Sequence, residues 1–163
     1  MDKLNFYTVD LDYVQYLKDV ELASRGFSRV PDMDYGQKRK PKFLCGIVLK
    51  IDSVDYYVPV SSYKQQKKDN ILIRAENGEA VGSLRFNYMF PIPIDIVRVR
   101  RSLLSQELRF CIEHQDTIMH DAERTYKRVL LGKDVGLVRN SCDFKLLEEA
   151  CLSYVLQHTS HST

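Results

Sequence analysis

Two stretches of this chain bring together side chains that handle phosphate: Ser61-Ser62-Tyr63-Lys64, and the approach from Tyr35 to Lys42. Lysine supplies a point charge for a phosphodiester and hydroxyls fix its oxygens. A tyrosine such as Tyr35 can stack on a base or offer its phenol. The two stretches flank a pair of expected strands, Phe43 to Ile51 and Asp55 to Val60, with a turn at Asp52-Ser53. In an antiparallel hairpin the start of the first strand lies beside the end of the second. Tyr35, Lys42, Ser61, Ser62 and Lys64 are therefore expected to converge at the end opposite the turn. Taken alone, the same composition also suits a solvated loop.

Other catalytic sets are missing from the sequence. Its four histidines, His114, His120, His158 and His161, all fall in the C-terminal part. No G-x-S-x-G, Walker loop or H-E-x-x-H is present. Cys111 and His114 sit three apart, but two ligands do not make a zinc site, so neither a metal nor a cofactor is expected. Cys45, Cys111, Cys142 and Cys151 form no CxxC pair and read as free, mostly buried thiols.

Net charge is only +2, yet the cations are grouped. Four of the five residues from Lys38 to Lys42 are basic (Lys38, Arg39, Lys40 and Lys42); Lys67 and Lys68 follow, then Arg98, Arg100 and Arg101. Such grouping suits a local anion-binding face, although runs of charge also form ordinary solvated loops.

The elements that must position these groups follow from hydrophobic period. Leu4 to Val9 reads as a strand. Asp10 caps a helix running to about Ser24 that carries Leu11, Val14, Leu17, Val20 and Leu22 and ends at Gly26. Ser28 to Pro41 and Ser61 to Asn70 read as polar loops. Ile71 to Ala75 and Val81 to Phe86 form a hairpin around Glu76-Asn77-Gly78, and Met89 to Ile92 is a short apolar piece. Beyond Ile94 the period becomes helical. Helices are expected from Arg101 to His120, from Asp121 to Leu131, and from a cap at Asp143 to about Leu156. The first two share a stripe of Leu103, Leu104, Leu108, Cys111, Ile112, Ile118 and Met119. In the last, Leu146, Leu147, Ala150 and Tyr154 face inward.

Strands followed by helices predict an α+β fold, with helices packed on an antiparallel sheet. The 163 residues, 44% of them hydrophobic, suit one domain over 1–163 with a frayed tail from His158 to Thr163. No apolar run approaches the ~20 residues needed to span a bilayer. The N-terminus has no secretory pattern, so a cytoplasmic location is expected.

Several segments, taken in order, resemble one known family. Phe6-Tyr7-Thr8-Val9 and the helix from Tyr13 to Leu17 are similar to its opening strand and helix. Pro41 to Leu49 is similar to its glycine-containing hairpin strand. Tyr57-Val58-Pro59-Val60-Ser61-Ser62-Tyr63-Lys64 resembles its Y-x-P-[LV]-[ST]-S-P-K stretch, and Asn87-Tyr88-Met89-Phe90-Pro91-Ile92 its N-x-M-x-P-[VI] element. Cys142 to Glu149 resembles its last capped helix. On these segments the chain is identified as a member of the ToxN/AbiQ family.

The resemblance implies a compact, strongly bent antiparallel sheet of the MazF/Kid toxin type, with packed helices and a mainly helical C-terminal half. It implies metal-independent cleavage of single-stranded RNA, leaving 2′,3′-cyclic phosphate and 5′-hydroxyl ends. It also implies an antitoxin RNA of pseudoknot repeats, processed by the toxin and closed with it into a hetero-oligomer, acting in phage abortive infection or plasmid maintenance. The family's active-site positions fall on Tyr35, Lys42, Ser61, Ser62 and Lys64. Lys38, Arg39, Lys40, Lys67, Lys68, Arg98, Arg100 and Arg101 would bind RNA. Ser61 stands where threonine is commoner, Tyr63 where proline is usual, and Gly36 to Lys40 is longer and more basic than usual. The rival from the residues alone is a non-catalytic RNA-binding or regulatory module with the same basic face; a third reading is a toxin of this fold directed at a protein.

Overall fold

The computed structural model describes residues 3–33, 42–99 and 105–159. Tyr35, Lys38, Arg39, Lys40, Arg100, Arg101, Leu103 and Leu104 lie outside the described residues, as do 160–163.

In chain order the elements are β1 (Asn5–Val9), α1 (Leu11–Arg25), β2 (Leu44–Ile51), β3 (Val54–Ser61), β4 (Asn70–Arg74), β5 (Ala80–Arg85), β6 (Phe90–Pro91), β7 (Val97–Val99), α2 (Gln106–Glu113), α3 (Gln115–Leu131), α4 (Val135–Arg139) and α5 (Phe144–Thr159). Short 3₁₀ turns at Phe86–Tyr88 and Ile94–Ile96 precede β6 and β7. The strands form one seven-stranded sheet in the order β4-β5-β3-β2-β1-β7, with β6 also on β3. Every pairing is antiparallel. This is the expected α+β arrangement, with the helices concentrated in the C-terminal half.

β3 is the organising strand. It pairs with β2 along its length, from Leu44↔Pro59 to Ile51↔Val54. Its other edge meets β6 at Tyr56 and Tyr57, then β5 at Val60 and Ser61. Two close approaches explain glycines here. A Cβ on Gly46 would run into the Tyr57 ring, and one on Gly82 would come within 2.6 Å of the Ser61 carbonyl oxygen. Gly82 thus lets β5 approach β3 at the residue where β3 hands over to the serine loop.

The elements differ from expectation in four places. In α1, Tyr13, Val14, Leu17 and Glu21 are buried, whereas Leu11 and Leu22 are 46% and 55% exposed. At ~100° per residue, Leu11 and Leu22 point within ~20° of each other and roughly 120° away from Leu17. Second, no break falls between His120 and Asp121. The chain breaks at His114, and the hydroxyl of Ser105 caps α2 by accepting from the Leu108 N–H. The stripe survives in part: Leu108, Cys111 and Ile118 are buried, while Ile112 and Met119 are half-buried. Third, α4 and β7 were not expected from the sequence; Asp134 caps α4 by accepting from the Leu137 N–H, and β7 extends the sheet beside β1. Fourth, α5 runs to Thr159, so His158, expected in a frayed tail, is helical and stacks on Tyr154 at 3.9 Å.

The four cysteines are free and buried. Helices and sheet are joined by polar links within the core. Glu148 of α5 accepts from the hydroxyls of Tyr56 in β3 and Tyr126 in α3, both at 2.6 Å. The Tyr13 hydroxyl donates to the Pro91 carbonyl at 2.6 Å, fastening α1 to β6. Hydrogen bonds to a charged acceptor contribute about 1.5–3 kcal/mol each.

Candidate active site

Of the five groups expected to converge, the hairpin brings Lys42, Ser61 and Ser62 together, while Tyr35 lies outside the described residues. Val60 N–H donates to the Phe43 carbonyl at 2.9 Å, so the chain entering β2 lies beside the chain leaving β3. Lys42, Ser61 and Ser62 line one groove of about 310 Å³, a volume at the lower end of small-ligand sites, which run from about 300 to 1,000 Å³. The Lys42 backbone is fixed by an N–H donated to Met33 at 3.0 Å. The Ser61 hydroxyl accepts from the Tyr63 N–H at 3.1 Å and turns the loop sharply.

Lys64 is solvent-exposed and is not among the groove's lining residues. Its Cα is two residues from that of Ser62, hence within about 7 Å, a gap that a lysine stem is long enough to span. Lys67 lines a neighbouring cleft. Lys68 is exposed. Arg98 is brought to neither: it lines a separate hollow with Thr8, Asp10 and Asp95.

Three cationic or aromatic groups of the groove were not anticipated: Arg29, Arg85 and Tyr88. Arg29 comes from the loop after α1, which reads in sequence as a charged linker. The buried Glu21 carboxylate accepts from the Arg29 N–H at 2.7 Å, the Ser28 hydroxyl at 2.9 Å and the Asp143 N–H at 2.6 Å. The Arg29 Nε donates to the Arg139 carbonyl at 3.0 Å. Arg85 ends β5, and its guanidinium carbon lies 4.6 Å from the ring centroids of both Tyr63 and Tyr88. Tyr88 sits in the 3₁₀ turn held by Asn87, which donates to the Asn140 carbonyl at 2.7 Å and accepts from the Cys142 N–H at 2.9 Å. The sequence signal was the Asn87-Tyr88 pair itself, which carried the family resemblance without being read as part of a site.

Among the described residues, Asp32 is the one carboxylate lining the groove. It is ion-paired with Lys18. The Lys18 hydrogen bond holds its carboxyl below the usual carboxylate range, against a small opposing effect of burial, and Lys42 adds a weaker pull in the same direction. Asp32 is therefore ionised at neutral pH and paired with Lys18, and the cations lining the groove are Arg29, Lys42 and Arg85. The groove combines cations, two hydroxyls and an aromatic face, a set that binds a phosphodiester with its sugar and base. Among the described residues no group of three His, Cys, Asp or Glu side chains is placed to hold a metal ion.

The chain is similar to known endoribonucleases along most of its length. The chain is 26% identical to the endoribonuclease AbiQ of Lactococcus lactis subsp. lactis, over 96% of this chain and 92% of AbiQ. It is 28% identical to the endoribonuclease ToxN of Pectobacterium atrosepticum, over 90% of this chain and 91% of ToxN. The fold matches that of a toxin from a bacterial type III toxin–antitoxin system, selectively inhibited by a non-coding RNA pseudoknot. That match has a TM-score of 0.81 at 24% identity, over 94% of this chain and 98% of the other. The solved structure of AbiQ, a lactococcal anti-phage endoribonuclease, matches with a TM-score of 0.79 at 23% identity, over 94% and 99% of the two chains. The family model for the type III toxin–antitoxin toxin ToxN matches residues 5–152 of the 163, and the chain belongs to that family.

Proposed function

We propose that this protein is the toxin of a type III toxin–antitoxin system, a metal-independent endoribonuclease that cuts single-stranded RNA. In this reading residues 1–163 act as one toxin domain in the cytoplasm, and the biological role is phage defence. The observation that carries the chemistry is the convergence of Lys42, Ser61 and Ser62 in one groove with Arg29 and Arg85.

RNA carries its own nucleophile. The protein has to align the 2′-hydroxyl behind the scissile phosphorus and stabilise the charge that develops on the phosphorane oxygens. Alignment is worth several kcal/mol, and each oriented donor contributes about 3 kcal/mol. Ser61 and Ser62 hold phosphate and ribose; Lys42 binds the phosphate or protonates the departing 5′-oxygen, and the proton of the attacking 2′-hydroxyl passes to solvent water. Lys64, exposed beside the groove, folds onto the phosphorane oxygens when substrate fills it. Tyr35 steers the 2′-hydroxyl or stacks on a base, with Lys38, Arg39 and Lys40 on the backbone beyond. Products are a 2′,3′-cyclic phosphate and a 5′-hydroxyl. Arg98, Arg100 and Arg101 contact the antitoxin, a pseudoknot RNA of the kind that inhibits the related toxin, processed by the same groove and closed with the toxin into a hetero-oligomer.

Purified protein incubated with RNA in EDTA should generate new 5′-hydroxyl ends. Lys42→Ala, Ser62→Ala and Lys64→Ala should each lose growth arrest and cleavage while remaining folded. Full cleavage by all three folded variants would remove the groove as the reaction site. RNA retention without new ends would establish a binding module instead.

A further inference from the structure

Arg85 and Tyr88 line two clefts. One is the groove just described; the other, about 280 Å³, lies on their far side and is lined also by Lys67, Asp69, Asn87 and Asp134. The two clefts are electrostatically different. Among the described residues the groove holds Arg29, Lys42 and Arg85 against one carboxylate, Asp32, which has Lys18 to itself. The second cleft has a cationic rim of Lys67 and Arg85, but also two carboxylates that each pair with Arg128, Asp69 at 2.8 Å and Asp134 at 3.3 Å. A phosphate placed there would face both carboxylates, whereas a base edge would find hydrogen-bonding partners.

The partition itself is a stacking surface. The Arg85 guanidinium is half-buried and lies 4.6 Å from the centroids of both the Tyr63 and Tyr88 rings. Unpaired bases stack on tyrosine rings and on guanidinium planes. The partition is also held in place. Asn87 ties the Tyr88 turn to Asn140 and Cys142. Lys67 is set by its N–H donated to the buried Asn70 side chain at 2.8 Å, while Asn70 donates to the Gln65 carbonyl at 3.0 Å.

We propose that the second cleft is a nucleobase subsite: it receives the base next to the scissile phosphate, splayed over the Arg85–Tyr88 partition. This deepens the proposed function and rests on it. It adds a reason for single-strand preference, because a base inside a duplex cannot cross the partition into a separate cleft. Tyr88 acts in positioning and affinity, not in the chemistry.

The test uses a single-stranded oligoribonucleotide spanning one mapped cut, with 2′-deoxyribose at the cut to block cleavage. An abasic residue is walked through the positions on either side. For the unaltered protein, one position adjacent to the cut should weaken binding about tenfold or more when its base is removed. In Tyr88→Leu that abasic penalty should shrink to near nothing, while Tyr88→Phe should retain it; circular dichroism confirms the fold of each. Arg85→Lys, which keeps the charge but loses the plane, should behave like Tyr88→Leu. A flat abasic scan, or a penalty unchanged in Tyr88→Leu, overturns the subsite even if Lys42→Ala abolishes cleavage. Normal cleavage by Lys42→Ala refutes the groove, and this inference with it.

Discussion

Gly82→Ala tests whether the sheet, and not the loop by itself, positions the serine hydroxyls. The new Cβ would lie 2.6 Å from the Ser61 carbonyl oxygen, a backbone atom that cannot swing aside as a side-chain tip would. Ordinary van der Waals contact begins near 3.4 Å. The two strands must therefore separate by about 0.8 Å at the point where β3 ends. Overpacking of this kind costs about 1–3 kcal/mol, and in a chain of this size each kcal/mol lowers Tm by about 2–4 °C. The larger effect should be catalytic. A displacement near 1 Å at a positioning group costs on the order of a hundredfold in rate, and Ser61 and Ser62 sit directly on the displaced segment. The assay is kcat/KM on a single-stranded RNA substrate beside thermal unfolding. Gly78→Ala is the control: Gly78 has φ of 87° at the far turn of β4–β5, with open space around it, so alanine there should cost about 1 kcal/mol through strain alone. If Gly82→Ala is folded and cleaves as fast as the Gly78→Ala control, the close approach does not set the serine geometry and the reasoning fails.

Burial, reinforced by Glu148 for Tyr56 and by Cys151 for Tyr13, pushes the pKa of both tyrosines well above that of a free phenol. For a raised pKa the stabilisation is complete below the unfolded value near 10 and is lost as pH climbs towards the folded value. Stability should therefore be flat to about pH 9 and then fall by about 1.4 kcal/mol per pH unit per tyrosine; Tyr56→Phe should make the fall shallower, and a flat profile to pH 12 would contradict the burial argument. Single-strand RNA binding that neutralises about three phosphates should weaken roughly twentyfold between 50 and 200 mM salt, a log–log slope near −2. Lys42→Ala should reduce that slope by about 0.7, and an unchanged slope would detach Lys42 from the phosphates. Asn87→Asp replaces the amide that donates to the Asn140 carbonyl with a carboxylate facing it; KM for RNA should rise more than kcat falls, whereas an unaltered KM would show that the turn bearing Tyr88 is held by other contacts.

The parts of the site that were legible in the sequence are those fixed by local chemistry. The apolar runs of β2 and β3, with Asp52-Ser53 between them, give a hairpin, and a hairpin alone brings Lys42 beside Ser61 and Ser62. The helix end expected at Gly26 is there, in the left-handed conformation that glycine favours, φ 80°. What was hidden depends on residues distant in the chain. Arg29 looked like part of a solvated run because its anchor, Glu21, is a residue type rarely buried. Four hydrogen bonds bring Glu21 inside: from the Arg29 and Asp143 N–H groups, the Ser28 hydroxyl and the Arg25 guanidinium. No periodicity announces such a carboxylate. Arg85 was hidden for another reason: its role depends on the Tyr63 and Tyr88 rings, one on the serine loop and the other three residues downstream. The break at His114 escaped because the apolar stripe continues on both sides of it.

The rim of the groove has a common support that explains why helices follow the sheet in this chain. The backbone from Val138 to Cys142, the end of α4 and the start of its link to α5, receives the Arg25 guanidinium at Val138, Arg139 and Ser141, and the Arg29 Nε at Arg139. The same five residues receive the Asn87 amide at Asn140, and Cys142 donates its N–H back to Asn87. Arg29 on one side of the groove and the Tyr88 turn on the other are thus moored to one short segment more than fifty residues away from either. The hairpin supplies the hydroxyls and Lys42, but it has no means of holding Arg29 or Tyr88 against an incoming polyanion. A phosphate arriving between free arginines would be met by side chains that must first lose rotamer entropy; here Arg29 is already tethered at its Nε and Arg85 already lies against two rings. Among the described residues the helical half contributes none to the lining of the groove, yet it turns a basic loop cluster into a preorganised one.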